Sequence, residues 1–469
     1  MRVRDTVPLY MDRQMNYFVG RLKYAVQLEA LFAFTSEYMN LYRPNGMKRL
    51  GVTAPFVLLF AGGFPLSSMA ADNAYSGGSG LVPGQSVIDR PRPEVQALGG
   101  RVGQFLVFPS LSLTEIYDDN LFATSSGEVD DLITVVKPSV QARSDWNNHE
   151  LSVFGWAAAA LHAEESDENW QDFAVGSDYR HDILRGSAAR GGVKFARLHE
   201  ERSSPDDVNG REPTTYTLLE PTIGGNHRFG RFNAGATGSL RRFDFDDASA
   251  AGGATINNDD RDRNEWEGGL RLGYEVRPEH EAFVRAAYNV SDYDDARDDA
   301  GVDRNSDGYE ISIGSRLEFT DLIVGEAFIG YRTQSFDDPT LSSASGIGGG
   351  LDVTWNVTRL TSVTASVVRT VEETTQVNAA GYFATRTRIE VDHELLRNLL
   401  IGASASYDRN DFEGISRVDN GYGGGAYVKY LTNRYLDLSA RYQYSRRDSD
   451  VATESFDRNT FLVQATVKY

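Results

Sequence analysis

The sequence contains no cysteine. A disulfide framework and a thiolate metal site are therefore excluded. A basic surplus is missing too: 47 Lys and Arg stand against 67 Asp and Glu, for a formal net charge of -20. With a pI near 4.8, no cations remain to neutralise phosphates, which excludes general nucleic-acid binding. The mean hydropathy of -0.40 excludes a bundle of membrane-spanning helices. It does not exclude strands that cross a bilayer, because half of their side chains face water. Neither an HExxH nor a GxSxG motif is present, so zinc-protease and serine-hydrolase readings lack a local signature. The chain is read as a non-enzyme without a cofactor. Gly421, Gly423 and Ala426 fit GxGxxA, but no βαβ unit surrounds them, which excludes a dinucleotide site. Glycine (45) and tyrosine (23) are plentiful and proline (14) is modest, a balance that suits strands bordered by aromatic girdles.

One segment has the build of an export signal, and it does not begin at residue 1. Met47-Lys48-Arg49 is a short basic region, 50–65 is apolar with Val57-Leu58-Leu59-Phe60 at its centre, and Ser68-Met69-Ala70 ends it with small residues. That order is the one a signal peptidase reads. It predicts translation from Met47, a signal peptide over 47–70, and a mature chain from about Ala71. Residues 1–46 are then a mis-annotated upstream segment. The competing reading, an anchor helix, is weakened by Pro55 and Pro65 and by a run that barely reaches the ~20 residues of a span. Gly, Ser, Pro and Asp dominate 71–103, which predicts a flexible periplasmic lead-in.

From Phe105 onward the chain alternates. Leu436, Leu438, Ala440, Tyr442 and Tyr444 interleave with Asp437, Ser439, Arg441, Gln443 and Ser445. Ile311, Ile313, Leu317 and Phe319 interleave with Glu310, Ser312, Arg316 and Glu318, and the same period runs through 281–290 and 347–357. Successive strand side chains point to opposite faces, so each strand has an apolar and a polar side. A soluble sandwich alternates as well, but its strands are usually ~5–6 residues long, whereas a bilayer needs ~9–11. In lipid every backbone group must be paired, so such strands must close into a ring.

The connections also alternate in character. Short turns fall at 146–148, 229–231, 277–279, 319–321, 356–359, 396–398 and 431–434. Longer acidic links fall at 117–131, 200–212, 244–263, 292–307, 336–343, 371–380, 408–419 and 446–459. Short periplasmic turns and long external loops mark outer-membrane barrels. The fold class predicted is an all-β, transmembrane, antiparallel up-and-down barrel over 104–469, with about eighteen strands and sixteen as the fallback. Phe461, Val463, Ala465, Val467 and Tyr469 alternate to the last residue and form the candidate assembly signal for the barrel-assembly machinery.

Three stretches carry a family resemblance: the Arg90-Pro91-Arg92-Pro93-Glu94 segment, Tyr117-Asp118-Asp119-Asn120-Leu121-Phe122-Ala123-Thr124, and the turn from Ser144-Asp145-Trp146 to His149. Across roughly 86–469 the chain resembles the outer-membrane β-barrel porin family of alphaproteobacteria. Members are often found beside exopolysaccharide genes. The resemblance implies an outer-membrane location and a part in polysaccharide export, and it supplies no catalytic residues. Implied partners are outer-membrane lipid and lipopolysaccharide, the assembly machinery, and components of polysaccharide export.

The candidate lumen-lining residues are Arg271, Glu275, Arg285, Arg316, Glu318, Glu326, Arg332, Arg386, Arg388, Glu390, Asp392 and Arg441. Mixed charge inside a barrel either sets up a transverse field that screens polar solutes or pairs across strands and stiffens the wall. Both readings stay open from sequence. Asp303, Asn305 and Asp307 match the first half of a calcium loop, but Gly314 stands where the bidentate acid belongs, which leaves a weak metal candidate. His149, His181, His227, His280 and His393 lie near the short turns, where an interfacial role is expected. A wall-mounted Ser and His need only meet in space to act, so a barrel hydrolase is the least-favoured alternative. A closed structural or adhesion barrel with acidic external loops is the other.

Overall fold

The structure is a computed structural model that describes residues 84–250, 252–320, 322–374, 376 and 378–469. The upstream segment, the signal peptide and the first part of the lead-in lie outside the described residues. A three-residue strand, β1 (Gly100–Val102), precedes β2 (Phe105–Asp118), β3 (Asp131–Ser144), β4 (His149–His162), β5 (Trp170–Leu184), β6 (Ser187–His199), β7 (Thr215–Phe229) and β8 (Phe232–Phe245). Loop 246–262 carries its own small hairpin, β9 (Ala248–Ser249) with β10 (Thr255–Ile256). There follow β11 (Arg263–Arg277), β12 (His280–Tyr293), β13 (Ser306–Thr320), β14 (Ile323–Phe336), β15 (Ala344–Thr358), β16 (Thr361–Glu372), β17 (Gly381–Leu396), β18 (Leu399–Glu413), β19 (Val418–Leu431), β20 (Leu436–Ser449) and β21 (Phe456–Lys468).

Each long strand pairs antiparallel with the next, and β21 returns to β2 with Ser110 opposite Lys468 and Asp118 opposite Thr460. Eighteen long strands thus close into a ring, with β1 as an appendage to the start of β2. The strands are 12 to 16 residues long, enough to cross a bilayer at a tilt.

The outer face is where the apolar residues go. Leu270, Leu272, Val284, Ile313 and Ile329 are exposed there, as a lipid-facing wall requires. Tyr179, Phe229, Phe232, Tyr274, Trp355 and Tyr430 stand on this face near the short turns, and Trp266, Tyr288, Tyr309, Tyr331 and Tyr422 stand towards the loop ends. These two belts match the girdles of amphipathic rings that settle at the two headgroup layers. Tight turns use the freedom of glycine where the chain reverses in two residues: Gly186 and Gly230 both have positive φ.

Two connections escape the sequence reading. The turn at 185–186 and the loop at 163–169 separate β4, β5 and β6, and Arg185-Gly186 and the acidic run 164–168 punctuate them in the sequence. In the opposite sense, the acidic link at 408–419 is mostly strand: β18 runs to Glu413 and only 414–417 remain outside. Charged Arg409 and Asp411 sit on the outer face there, paired to each other at 3.1 Å, so charge in that stretch marks the membrane rim.

Candidate functional site

The inner wall holds all twelve sequence-predicted lumen positions, on two arcs. On the first, Arg271 of β11 bonds Glu281 at 3.0 Å and Glu326 at 3.0 Å, and Arg285 of β12 bonds the same Glu326 at 2.9 Å. Arg316 lies in register between Glu281 and Glu326. Arg332 bonds Glu310 at 2.6 Å, Glu275 is taken by Arg228, and Glu318 lies nearby on β13 with its backbone N–H donated to the Glu279 carbonyl. On the second arc, Arg386 bonds Glu372 at 2.9 Å and Arg388 bonds Glu390 at 3.0 Å. Asp392 accepts the Tyr427 hydroxyl, and the Arg441 guanidinium stands 5.3 Å from the same ring. Glu281, Glu310, Glu372, Arg228 and Tyr427 are members of this network that the sequence list omits. Their signal was available, since each occupies the polar phase of its own strand.

Aromatic rings complete the wall. Arg271 lies 3.7 Å over Phe283, Arg285 4.6 Å over Phe328, and Arg263 4.5 Å over Phe243. Each guanidinium is held by its face on a ring and, at its edge, by a carboxylate, an arrangement with cation–π attraction of ~0.5–2 kcal/mol. Phe283 fits only because Gly314 opposite it has no side chain; a Cβ there would stand 2.4 Å from the ring. The result is a lumen surface on which both signs of charge are present and largely paired.

The loop end is bridged by its own loops. Loop 200–214 leaves β6 and reaches the far side of the ring, where Thr374 donates to Asp206 at 2.7 Å and Gln376 to the Pro205 carbonyl at 2.8 Å. Arg447 of β20 donates to the Ser203 carbonyl. The root of this loop is fastened by two buried pairs, Arg202 to Glu168 at 2.5 Å and Arg261 to Glu200 at 2.9 Å. From another quarter, Arg304 donates to the carbonyls of Thr374 and Ala379 at 2.7 and 3.3 Å. Beneath this knot Glu373 accepts from Ser291 and Ser306 at 3.1 Å each. Burial, then the charge of Glu265, pushes its carboxyl up to about 7, against Arg263 and the two hydroxyls. Burial likewise pushes Asp207 up to about 6 against Arg202. Sequence marked 200–212 as an external loop; its inward course came only with the structure.

The turn end carries a strap. Composition predicts a flexible lead-in over 71–103, yet its described part, from residue 84, is folded against the inner wall. Val87 is fully buried and its N–H donates to Ser362 at 2.8 Å. Arg90 donates to Asn356 at 2.8 Å, Arg92 pairs with Glu394 at 2.8 Å, and Glu94 pairs with Arg397 at 2.6 Å. The Arg-Pro-Arg-Pro-Glu segment therefore crosses β15 to β17 inside the mouth. The strap turns at 87–90 and again at 93–96, where the Val95 and Gln96 N–H groups donate to the Arg92 carbonyl, so its successive charges reach different strands of the wall. Its anchors answer charges hundreds of residues away, which composition cannot reveal.

The remaining candidates are placed as follows. Asp303 caps the N–H of Asn305, Asn305 accepts from the Tyr293 N–H at 2.7 Å, and Asp307 accepts from the Tyr288 hydroxyl at 3.4 Å. The three oxygens serve separate loop contacts and do not converge. Phe461, Val463, Ala465 and Val467 share the outer face of β21, and Tyr469, the residue just after it, is exposed and donates its N–H to the Pro109 carbonyl. The five histidines sit at the turn end: His149 stacks on His181 at 4.3 Å, Thr361 meets His393 at 2.9 Å, and Arg277 meets His280 at 2.8 Å. Ser187 and His227 do meet on the lipid side, at 2.6 Å, with no carboxylate bonded to that ring among the described residues.

A closed ring with a greasy outside, a charged inside and mouths of unlike length is a porin-like channel of the outer membrane. The chain belongs to the family described as "Putative beta-barrel porin 2", which matches residues 92–469. No curated protein matches the chain. Among solved structures it is similar to the outer membrane protein OpdK of Pseudomonas aeruginosa, at 9% identity, over 77% of this chain and 99% of that one, with a TM-score of 0.42. It is also similar to OccAB3 of Acinetobacter baumannii, at 8% identity over 78% and 100% of the two chains, TM-score 0.43. A third is the siderophore receptor PirA of P. aeruginosa, at 8% identity over 77% and 80%, TM-score 0.42.

Proposed function

We propose that the channel passes uncharged, polyhydroxylated solutes and works as the outer-membrane exit of a polysaccharide export system, without catalysis. The observation that carries this reading is the pairing of the wall: Arg271, Arg285, Arg332, Arg386 and Arg388 are all engaged by carboxylates. A wall of matched charge exerts little net pull on ions, while its many donors and acceptors replace water around hydroxyl groups. Reconstituted in planar bilayers, the barrel is expected to conduct with little preference between cations and anions, and soluble oligosaccharide is expected to block the current. Strong ion selectivity with no saccharide block would sink the reading. In cells, loss of the chain is expected to strand polysaccharide in the periplasm.

A second reading, a closed structural barrel, is favoured by the bridges at both mouths. Bilayers that stay sealed after removal of both loop 203–207 and the strap would decide for it.

A further inference from the structure

The lipid face of β8 and β11 to β14 bears a trough at the turn end. Registered pairing places Phe232, Tyr274, Ala282, Ser315 and Ala327 in one row across five strands. The last three are small, while the row above them, Leu272, Val284, Ile313 and Ile329, is large. The depression so formed has a volume of about 1010 Å³ and an almost wholly apolar lining. It runs across strands that tilt ~35–45° in such barrels, so its course is oblique to the membrane and open to an acyl chain.

At the periplasmic edge of this trough stand two exposed arginines. Arg231 forms the tip of the turn before Phe232, and Arg277 lies beside His280 in the turn below Tyr274. Among the described residues Arg277 is held by the imidazole of His280, and the nearby Glu275 is already engaged by Arg228. Glu279 is the one carboxylate of the Arg277 turn, so the balance there is positive. This contrasts with Arg271, Arg285, Arg332, Arg386 and Arg388 of the lumen, which are tied to carboxylates.

We propose that this trough and its two arginines form a binding site for an anionic glycerophospholipid of the inner leaflet. One acyl chain lies over Ala282, Ser315 and Ala327, and the phosphate meets Arg231 and Arg277. The chemistry is complementary at both ends: an apolar slot sized by missing side chains, and guanidinium donors that match phosphate oxygens. Lys and Arg near a membrane surface each attract anionic lipid.

The test is native mass spectrometry of the full chain in detergent, titrated with phosphatidylglycerol or with phosphatidylcholine of the same acyl chains. Phosphatidylglycerol is expected to bind about tenfold more tightly. The double variant Arg231→Gln/Arg277→Gln should lower phosphatidylglycerol retention to the phosphatidylcholine level. Ala327→Leu, which fills the trough, should lower retention of both lipids. Millimolar inorganic phosphate should displace neither. Heat-modifiable migration on gels confirms that each variant is folded. Equal binding of the two lipids, unchanged retention in either variant, or displacement by phosphate would each overturn the proposal.

Discussion

At the scale of single residues, Arg92 and Glu394 decide whether the strap stays down. Both side chains are nearly excluded from solvent, and breaking a buried pair from one side leaves a charge without its partner, at a cost of ~3–5 kcal/mol. Arg92→Ala is therefore expected to release the segment around Val87. Limited proteolysis checks this: cleavage between 84 and 99 should appear in the variant and be absent in the parent. Glu373 behaves differently, because its charge is the problem. Its carboxyl ordinarily titrates near 4.5 and is raised here to about 7. The docked loop thus binds its proton more tightly than a free loop does, and docking loses stability as pH rises from about 4.5 through about 7. The hydrogen-exchange protection factors of 378–380, which are corrected for the intrinsic rise of exchange with pH, should fall between pH 5 and pH 8. Glu373→Gln, which is always neutral, should remove that dependence.

At the scale of elements, each strand answers to two solvents. Ile313 projects from the middle of β13 into lipid with 61% of its surface exposed. Ile313→Arg should destabilise the barrel by ~2–4 kcal/mol, the usual cost of a cation near the bilayer midplane, whereas Arg316→Lys, on the inner face three residues on, should leave stability nearly unchanged. Urea unfolding in lipid vesicles compares the two. The last strand is also judged by its outer face. If Phe461 to Tyr469 carries the assembly signal, Tyr469→Asp should lower the yield of heat-modifiable barrel in cells while the protein still folds into detergent. Loop 200–214 is an element of another kind, since its order rests on side-chain contacts with other elements. Its fastening by Arg202 and Arg261 at the root and by Thr374 and Gln376 at the tip makes it a brace across the mouth. Deleting 203–207 should raise single-channel conductance without lowering the unfolding midpoint.

At the scale of the whole molecule, the two ends differ in charge as well as length. Acidic loops crown one end, and several turns of the other carry exposed arginines such as Arg185, Arg231, Arg277 and Arg359. A barrel built this way faces unlike leaflets with unlike rims. Between them the lumen is narrowed twice, by a strap from the N-terminal side and a loop from the opposite end. Conductance should therefore respond more to the mouths than to the wall: removing the strap or loop 203–207 should change it more than neutralising Arg271.

The periodic part of this molecule was readable in the sequence itself. Strand faces, the near-complete set of turns, the closure of the sheet and all twelve inner-wall charges follow from a period of two, because a strand's side chains alternate whatever its neighbours are. Lipid outside and water inside then force the phase. The tertiary structure alone decided which charges meet. Arg271 finds Glu326 fifty-five residues away, Arg92 finds Glu394 three hundred and two away, and loop 200–214 turns inward instead of outward. Such partners depend on the register of neighbouring strands and on distances across the ring, and no local rule of spacing carries either of those.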